Sequence, residues 1–572
     1  MTKDNFDTPA LSGVSKTDTP SLYQCRQGVS VLYREHFLYS KYDPSKSILN
    51  IISNLTVNPE TLILVMSPAL FLGYAELIKR IPDSCKLVFF EFEKSLYDFS
   101  LEYVPEDLKN KIHYYNESNL TEYINFINEN HFRKVIRLDL SGGTFFNREK
   151  YDNVFTVTQS VIDQFWKNRL TLIRFGRIFS KNIFKNLHWL PDSVPFESLY
   201  KTVNKPLLVL GAGESLNETI KTLKQDARSC KTLRDYFFIL AVDAAINPLL
   251  ENGITPDAVV AVECQSIIEK AYIGKSVLSG IPLFSDLVGR SSIPHILRGP
   301  VSYFISEYSN LKFLNTLKEK NILPPVIKPL GSVGLVAAEI ALALRFCDDV
   351  PVVFSGLDFS FTPGITHAKE TPSHKKQLLS LTRLNSIFNL SAAFAPGTSF
   401  FTGKNKMRMA TSKALMGYAL LFTELFSDIK NFFDAGVSGI NLNAKQKDLV
   451  SVIKDQNNQS GTNKNDSLFK EKLVLKNNAS LKKEISAYIK EEKEELVKLK
   501  DLLSLGEKSQ YRNLEITLDS QLDSIITPRD YLYIHFADAQ KNTNRQSFLN
   551  RIKIESNIFL KQLEIAEEMV EK

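Results

Sequence analysis

The stretch Lys205-Pro-Leu-Leu-Val-Leu-Gly-Ala-Gly-Glu-Ser-Leu216 decides how the chain is read. Its apolar run, from Pro206 to Leu210, stops at Gly211-Ala-Gly213, and helical spacing begins after Ser215. A buried strand, a tight turn and a helix follow one another, which is the unit of a parallel α/β sheet. Two small residues in such a turn let backbone N–H groups approach an anion, and the helix N-terminus adds partial positive charge. Gly211 and Gly213 are therefore candidates for holding a phosphate. Ser215 either caps the helix or bonds a phosphate oxygen.

Working outward, residues 236–242 and 258–262 read as further buried strands with a helix over 243–251 between them. An Ala/Leu-rich helix over 331–345 precedes a strand over 350–355 that runs into Gly356-Leu-Asp358. Residues 201–440 are thus expected to form an α/β domain with a mainly parallel sheet. Upstream, residues 1–200 are expected to hold a second α/β domain, in which strands over 62–66 and 86–90 enclose a crossover helix over 72–80. There the chain after Met66 reads Ser-Pro-Ala-Leu-Phe-Leu-Gly73, without the Gly-rich cradle of a dinucleotide site. Glu91 closes the second strand, where a carboxylate holds a ribose hydroxyl or simply faces solvent. Downstream, 455–467 (DQNNQSGTNKNDS) has no aliphatic or aromatic residue to bury, so 441–467 is expected to be a linker. Residues 468–572 carry helical periodicity with many Lys and Glu, the pattern of a helical domain with a solvated charged face.

With 572 residues, 44% hydrophobic and 23% charged, the chain has ample material for buried cores, so wholesale disorder and collagen-like or small disulfide scaffolds are excluded. Its 70 basic and 64 acidic side chains leave a net +6 spread over a large surface, which does not by itself point to nucleic acid. Cys25, Cys85, Cys230, Cys264 and Cys347 never form a close pair, so they read as reduced thiols. Residues 1–21 are polar and lack the apolar core of a secretory signal. The most hydrophobic run, 61–74, is broken by Ser67-Pro68 and is shorter than the ~20 apolar residues of a spanning helix. A cytoplasmic protein without a membrane span is the expectation.

Four further places can carry chemistry. Asp243 puts a carboxylate at the carboxyl edge of the expected sheet, where it can accept from a ribose or sugar hydroxyl, or cap the next helix. Glu263 and Gln265 repeat that arrangement one strand later. Gly331-Ser332 opens a long helix with no acidic residue in its first turn, a second place for an anion. Asp358 and Thr366-His367 bring a carboxylate and an imidazole towards one edge; His367 is the first candidate for deprotonating an acceptor hydroxyl, with His374 as its rival and loop packing as its other explanation. The chain has no Asp-x-Asp, no Walker lysine motif, no His-Glu-x-x-His and no Gly-x-Ser-x-Gly. No metal site is expected.

Taken in order, these segments resemble the motility-associated factor (Maf) family of flagellin glycosyltransferases. The resemblance rests on the strand and turn ending in Gly211-Ala-Gly213-Glu-Ser215-Leu216, Asp243-Ala244 with Gly253-Ile-Thr-Pro-Asp257, Gly331-Ser332, Gly356-Leu-Asp358 with Thr366-His367-Ala368, and Phe433-Asp434-Ala-Gly436. It covers the central domain well and the two ends loosely, including Tyr42-Asp-Pro44. It implies a sialyltransferase-like, Rossmann-like central domain that binds a CMP-activated nonulosonic acid of pseudaminic or legionaminic type. It further implies transfer of that sugar to Ser or Thr hydroxyls of flagellin in the cytoplasm, with no cofactor beyond the donor. By position, Gly211, Gly213 and Ser215 would hold the CMP phosphate and Asp243 the ribose or sugar, while Glu263, Gly331, Ser332, Asp358 and His367 would line the donor and acceptor site. Glu214 stands where the family usually has proline and sets a negative charge beside the expected phosphate turn. The central domain also resembles the 6-hydroxymethylpterin diphosphokinases (MptE-like), which implies diphosphate transfer from ATP with magnesium. A catalytically silent nucleotide-binding or scaffold protein is the third reading.

Overall fold

Apolar runs too short for helices and bounded by turn residues become the strands of two parallel sheets, one in each of the two units into which the chain divides, Met1–Leu170 and Thr171–Lys572. The computed structural model describes residues 18–109, 111–225, 232–274, 276–307, 311–384, 386, 397–459, 467–474, 477–506, 512–538 and 545–571.

In the first unit, β1 (Ser21–Gln24), β2 (Val29–Tyr33) and β3 (His36–Phe37) form a small antiparallel sheet. β4 (Thr61–Met66), β5 (Lys86–Phe90), β6 (Tyr114–Tyr115) and β7 (Lys134–Asp139) form a parallel sheet in the order β6-β5-β4-β7. Every residue of β4 is buried, as expected of a central strand covered on both faces. The crossover helix runs over Tyr74–Arg80, two residues shorter at its start than its periodicity predicts. Gly73 takes φ +82° before it, and a Cβ there would come within 2.6 Å of Ile48 and Ile52.

The second unit is organised by nine strands: β8 (Leu207–Leu210), β9 (Phe238–Val242), β10 (Ala258–Ala261), β11 (Leu283–Asp286), β12 (Val301–Ser306), β13 (Val326–Ile327), β14 (Val352–Ser355), and, after a separate hairpin of β15 (Ser399–Thr402) and β16 (Arg408–Thr411), β17 (Phe432–Asp434) and β18 (Lys445–Gln446). Their order is β13-β12-β11-β10-β9-β8-β14-β17-β18, and every neighbouring pair is parallel. From β8 the chain builds outward through β9 to β13, then returns to the other side of β8 with β14. The strand order therefore reverses between β8 and β14, the position at which open α/β sheets bind ligands. The apolar helix Val333–Leu344 packs across β8, β9 and β10.

Two expected boundaries fall elsewhere. The division at Leu170 and Thr171 lies inside one helix, Arg148–Asn186, rather than near residue 200. The expected linker over 441–467 contains β18 and the helix Leu449–Gln459, whose Leu449, Val452 and Ile453 are buried in the core of the large sheet. The polar run thus begins on the last turn of an amphipathic helix; residues 460–466 lie outside the described residues. Helices Ala479–Gly506, Arg512–Ile526 and Arg545–Glu571 give the expected helical ending, and Ile489, Leu496, Phe559 and Leu563 share one core with Leu283 and Tyr303 of the sheet. Among the described residues no helix is long and apolar enough to cross a membrane.

Candidate functional site

β8 and β14 end side by side, with Leu210 opposite Ser355, and the turns that follow them interlock. Gly211 N–H donates to the Ser355 carbonyl and Gly213 N–H to the Gly356 carbonyl, both at 2.8 Å. A Cβ on Gly211 would overlap the carbonyl oxygen of Gly356, and one on Gly213 would lie 2.6 Å from Asp358 Oδ2. These glycines allow two backbones to meet, and their N–H groups are consumed within the fold instead of facing a phosphate. Ser215 is buried beneath them; its N–H donates to Asp358 Oδ2 at 2.8 Å and its hydroxyl to Asp358 Oδ1. Ser438 Oγ donates to the same carboxylate at 3.3 Å. Asp358 is therefore a clamp between the two turns. Burial pushes its carboxyl up to about 6, against the opposing effect of the Ser215 bonds.

Above this clamp lies a cleft of 640 Å³. Its lining comprises the turns at 211–213 and 356–361, Ser332-Val333-Gly334, Thr366-His367, and Ser373, Lys376, Gln377 and Ser380 of the helix Pro372–Leu379 and its end. Ser332 makes no side-chain cap and the first turn of its helix holds no acidic residue, so the first N–H groups are left to a ligand. Gly331 turns the chain into this helix at φ +69°, close against Tyr418, and is not itself in the lining. Burial lowers the pKa of His367, favouring a neutral ring; its Nδ1 lies 3.1 Å from Thr366 Oγ1. His374 is outside the lining, with Nδ1 accepting from Glu370 N–H at 3.4 Å.

Of the residues expected at the site, the cleft brings together Gly211, Gly213, Ser332, Asp358 and His367. It does not bring in Ser215, Asp243, Glu263 or Gly331. Val242 and Ala244 reach the cleft, but Asp243 between them is buried, with Oδ1 accepting from Ala244 N–H at 2.7 Å. Burial pushes that carboxyl up to about 7. Glu263 Oε1 accepts from Gln265, from the backbone N–H at 2.9 Å and from Nε2 at 3.2 Å. Glu214, expected beside the phosphate turn, points instead to Thr362, whose hydroxyl donates to Oε2 at 2.6 Å. In the first unit, Glu91 is neither open to a ribose nor solvated: it is fully buried and accepts from Ser67 Oγ (2.5 Å), Tyr151 OH (2.7 Å) and Glu93 N–H (3.0 Å).

Lys376 and Gln377 escaped the sequence reading because Pro372-Ser-His-Lys-Lys-Gln-Leu-Leu379 matches no motif. Its one signal is the absence of acidic residues beside two lysines. Lys376 is the single cationic side chain of the lining and, among the described residues, it forms no ion pair. Among the described residues no group of three or more His, Cys, Asp or Glu is placed to hold a metal ion.

The fold and cleft define a class: a parallel α/β chain with its crevice where the order of the large sheet reverses, preceded in sequence by a smaller parallel unit and ending in helices. Within that class, residues 178–364 match the family model described as 6-hydroxymethylpterin diphosphokinase MptE-like. An uncharacterized protein of Treponema pallidum (strain Nichols) is 29% identical over 579 residues, covering 97% of this chain and 97% of its own. Among solved structures, the Maf glycosyltransferase from Magnetospirillum magneticum AMB-1 shares the fold with a TM-score of 0.55 at 12% identity, over 98% of this chain and 91% of that one. The MptE-like domain and the fold of a Maf glycosyltransferase both support the resemblance read from the sequence.

Proposed function

We propose that this chain is a glycosyltransferase. In this reading it moves a nonulosonic sugar, of pseudaminic or legionaminic type, from a CMP-activated donor to Ser or Thr hydroxyls of flagellin in the cytoplasm, without a metal ion. The observation that carries the reading is the composition of the cleft at the β8–β14 reversal. It offers one cation with no ion pair among the described residues, Lys376, one helix N-terminus without acidic residues, and an imidazole held towards its neutral form, His367. A CMP-nonulosonate carries one phosphodiester charge and one carboxylate, and those two positive features answer two such anions. A phosphate held as a diester needs no divalent ion to bridge it to a second phosphate. The likeness in fold to a Maf glycosyltransferase supports the same reaction class, and by analogy flagellin is the acceptor.

Calorimetric titration with CMP, and separately with ATP plus magnesium, tests the donor; intact mass of flagellin after incubation with CMP-pseudaminic acid tests the transfer. Saturable CMP binding and a mass gain of one sugar per modified site are expected. The MptE-like match favours one other reading, a diphosphotransferase. Selective binding of ATP with magnesium would establish it in place of the first, and binding of neither nucleotide would leave a catalytically silent scaffold.

A further inference from the structure

Three side chains of the cleft lie in a row within hydrogen-bond reach of one another. Gln377 Nε2 donates to Thr366 Oγ1 at 2.7 Å, and Thr366 Oγ1 lies 3.1 Å from His367 Nδ1. Thr366 Oγ1 has no other partner among the described residues. A hydroxyl that accepts from an amide keeps one hydrogen and one lone pair; the imidazole nitrogen is its one further partner in reach among the described residues, and the hydrogen is used within the protein when Nδ1 accepts it. The reverse orientation of the amide would bury an NH2 group where Gln377 Oε1 now lies buried without a partner. Unpaired buried N–H groups are rarer than under-satisfied carbonyl oxygens, so the observed orientation is the favoured one.

We infer that Gln377, acting through Thr366, is a positioning residue that fixes His367 with Nδ1 bare and the proton on Nε2. Nδ1 is then spoken for, and the ring nitrogen left for a ligand is a donor. His367 consequently hydrogen-bonds an anionic oxygen of the ligand instead of taking a proton from the acceptor hydroxyl. This reverses the role expected for it from the sequence. The tautomer preference rests on the three side chains; its assignment to a phosphate or carboxylate oxygen of a nucleotide sugar rests on the glycosyltransferase reading.

The test is imidazole ¹⁵N–¹H correlation spectroscopy on the full chain labelled with ¹⁵N-histidine, with His367 assigned by the signal lost in His367→Gln. The expected wild-type spectrum at pH 8 shows a neutral ring protonated on Nε2. In Gln377→Glu the carboxylate accepts the Thr366 hydroxyl hydrogen, Oγ1 must then accept from the ring, and His367 shifts to the Nδ1–H form. CMP affinity, measured on the same samples, falls about tenfold or more, from the lost hydrogen bond and from the new charge in the cleft together, so the tautomer and not the affinity decides. Thr366→Val weakens the tautomer preference, and Thr366→Ser restores it, which separates the relay from damage to the fold. A wild-type ring protonated on Nδ1, or a tautomer unmoved by Gln377→Glu, overturns the inference. If the tautomers behave as expected and wild type does not bind CMP, the relay stands and the donor assignment falls.

Discussion

Both units hold a parallel sheet whose order reverses beside its first strand, between β4 and β7 in one and between β8 and β14 in the other. The first reversal is filled and the second is open. After β4 the chain places Ser67, Ala69 and Phe71 at φ +50°, +45° and +52°, a left-handed backbone carried by residues with side chains. Ser141 Oγ donates to the Ser67 carbonyl at 2.6 Å, Tyr39 OH to the Pro68 carbonyl at 2.7 Å, and Glu91 gathers Ser67 and Tyr151. After β8 and β14 the equivalent turns are Gly211-Ala-Gly213 and Gly356-Leu-Asp358, with the only buried carboxylate of the pair drawn downward onto Ser215. With glycine at 211, 213 and 356 and the Asp358 carboxylate drawn down onto Ser215, the strand ends are left uncovered and a cleft remains. The same topology gives a site or a plug according to what stands in two turns.

The sharpest way to break this contrast is to add side chains to the open reversal. Gly211→Val sets a Cβ against a backbone carbonyl that has no rotamer by which to withdraw. A loss of about 3 kcal/mol or more is expected, at the upper end of overpacking. The chain has two tryptophans, Trp166 and Trp189, one in each unit. Denaturant unfolding followed by Trp189 in a Trp166→Phe background reads the second unit; an unchanged midpoint would show that the two turns do not interlock.

The filled reversal is tested by pH. Burial pushes the Glu91 carboxyl up to about 7 from 4.5. Below pH 4.5 both folded and unfolded chains hold the proton and no penalty applies. As pH rises towards 7 the unfolded chain releases it while the folded chain does not, so stability falls with rising pH. Between pH 5 and 8 that fall is about 2–3 kcal/mol. Glu91→Gln removes it, so the difference between the two pH values, read from Trp166 in a Trp189→Phe background, shrinks by this amount. A carboxylate open to ligand or solvent would show no such slope.

How much of this was legible depends on what each feature is made of. Continuous apolar runs such as Leu207–Leu210 and Val352–Ser355 disclose buried parallel strands, because both faces are covered and no polar alternation interrupts them. Gly211 and Gly213 read as a close approach in the sequence, but a glycine does not say whether a ligand or another backbone comes near; here it is the backbone of Gly356. Asp243 and Glu263 stood at the right edge of the sheet, yet one residue of pleat or turn decides whether a side chain faces the crevice or the core. Residues 455–459 looked like linker because their polar composition hid the apolar stripe of Leu449, Val452 and Ile453 just before them. Lys376 and Gln377 come to the cleft through tertiary folding of a short polar helix, which no local pattern announces.

Lys376→Ala asks whether the open reversal selects anions. Lys376 is exposed at the cleft and makes no ion pair among the described residues, so its removal should leave the unfolding midpoint unchanged. CMP affinity should fall about tenfold, the scale of one charge-assisted contact, and the loss should shrink as salt is raised. An affinity unchanged at low salt would move the anion site away from the helix Pro372–Leu379.

The smallest effect concerns the negative charge beside the turn. Glu214 is held by the Thr362 hydroxyl and lies outside the lining, so Glu214→Gln, which keeps an acceptor for that hydroxyl, should alter CMP affinity by less than about twofold and stability by no more than about 1 kcal/mol. Thr362→Val is the more revealing partner. It releases the carboxylate without discharging it, and a charge free to swing towards the open turn repels the phosphate, lowering affinity about threefold at low ionic strength. In the double variant the repulsion is gone and affinity returns to the wild-type value. Were Glu214→Gln alone to raise CMP affinity tenfold, the charge would already face the ligand in the native chain. The second reversal would then be partly guarded, and the contrast with the plugged first sheet would be one of degree.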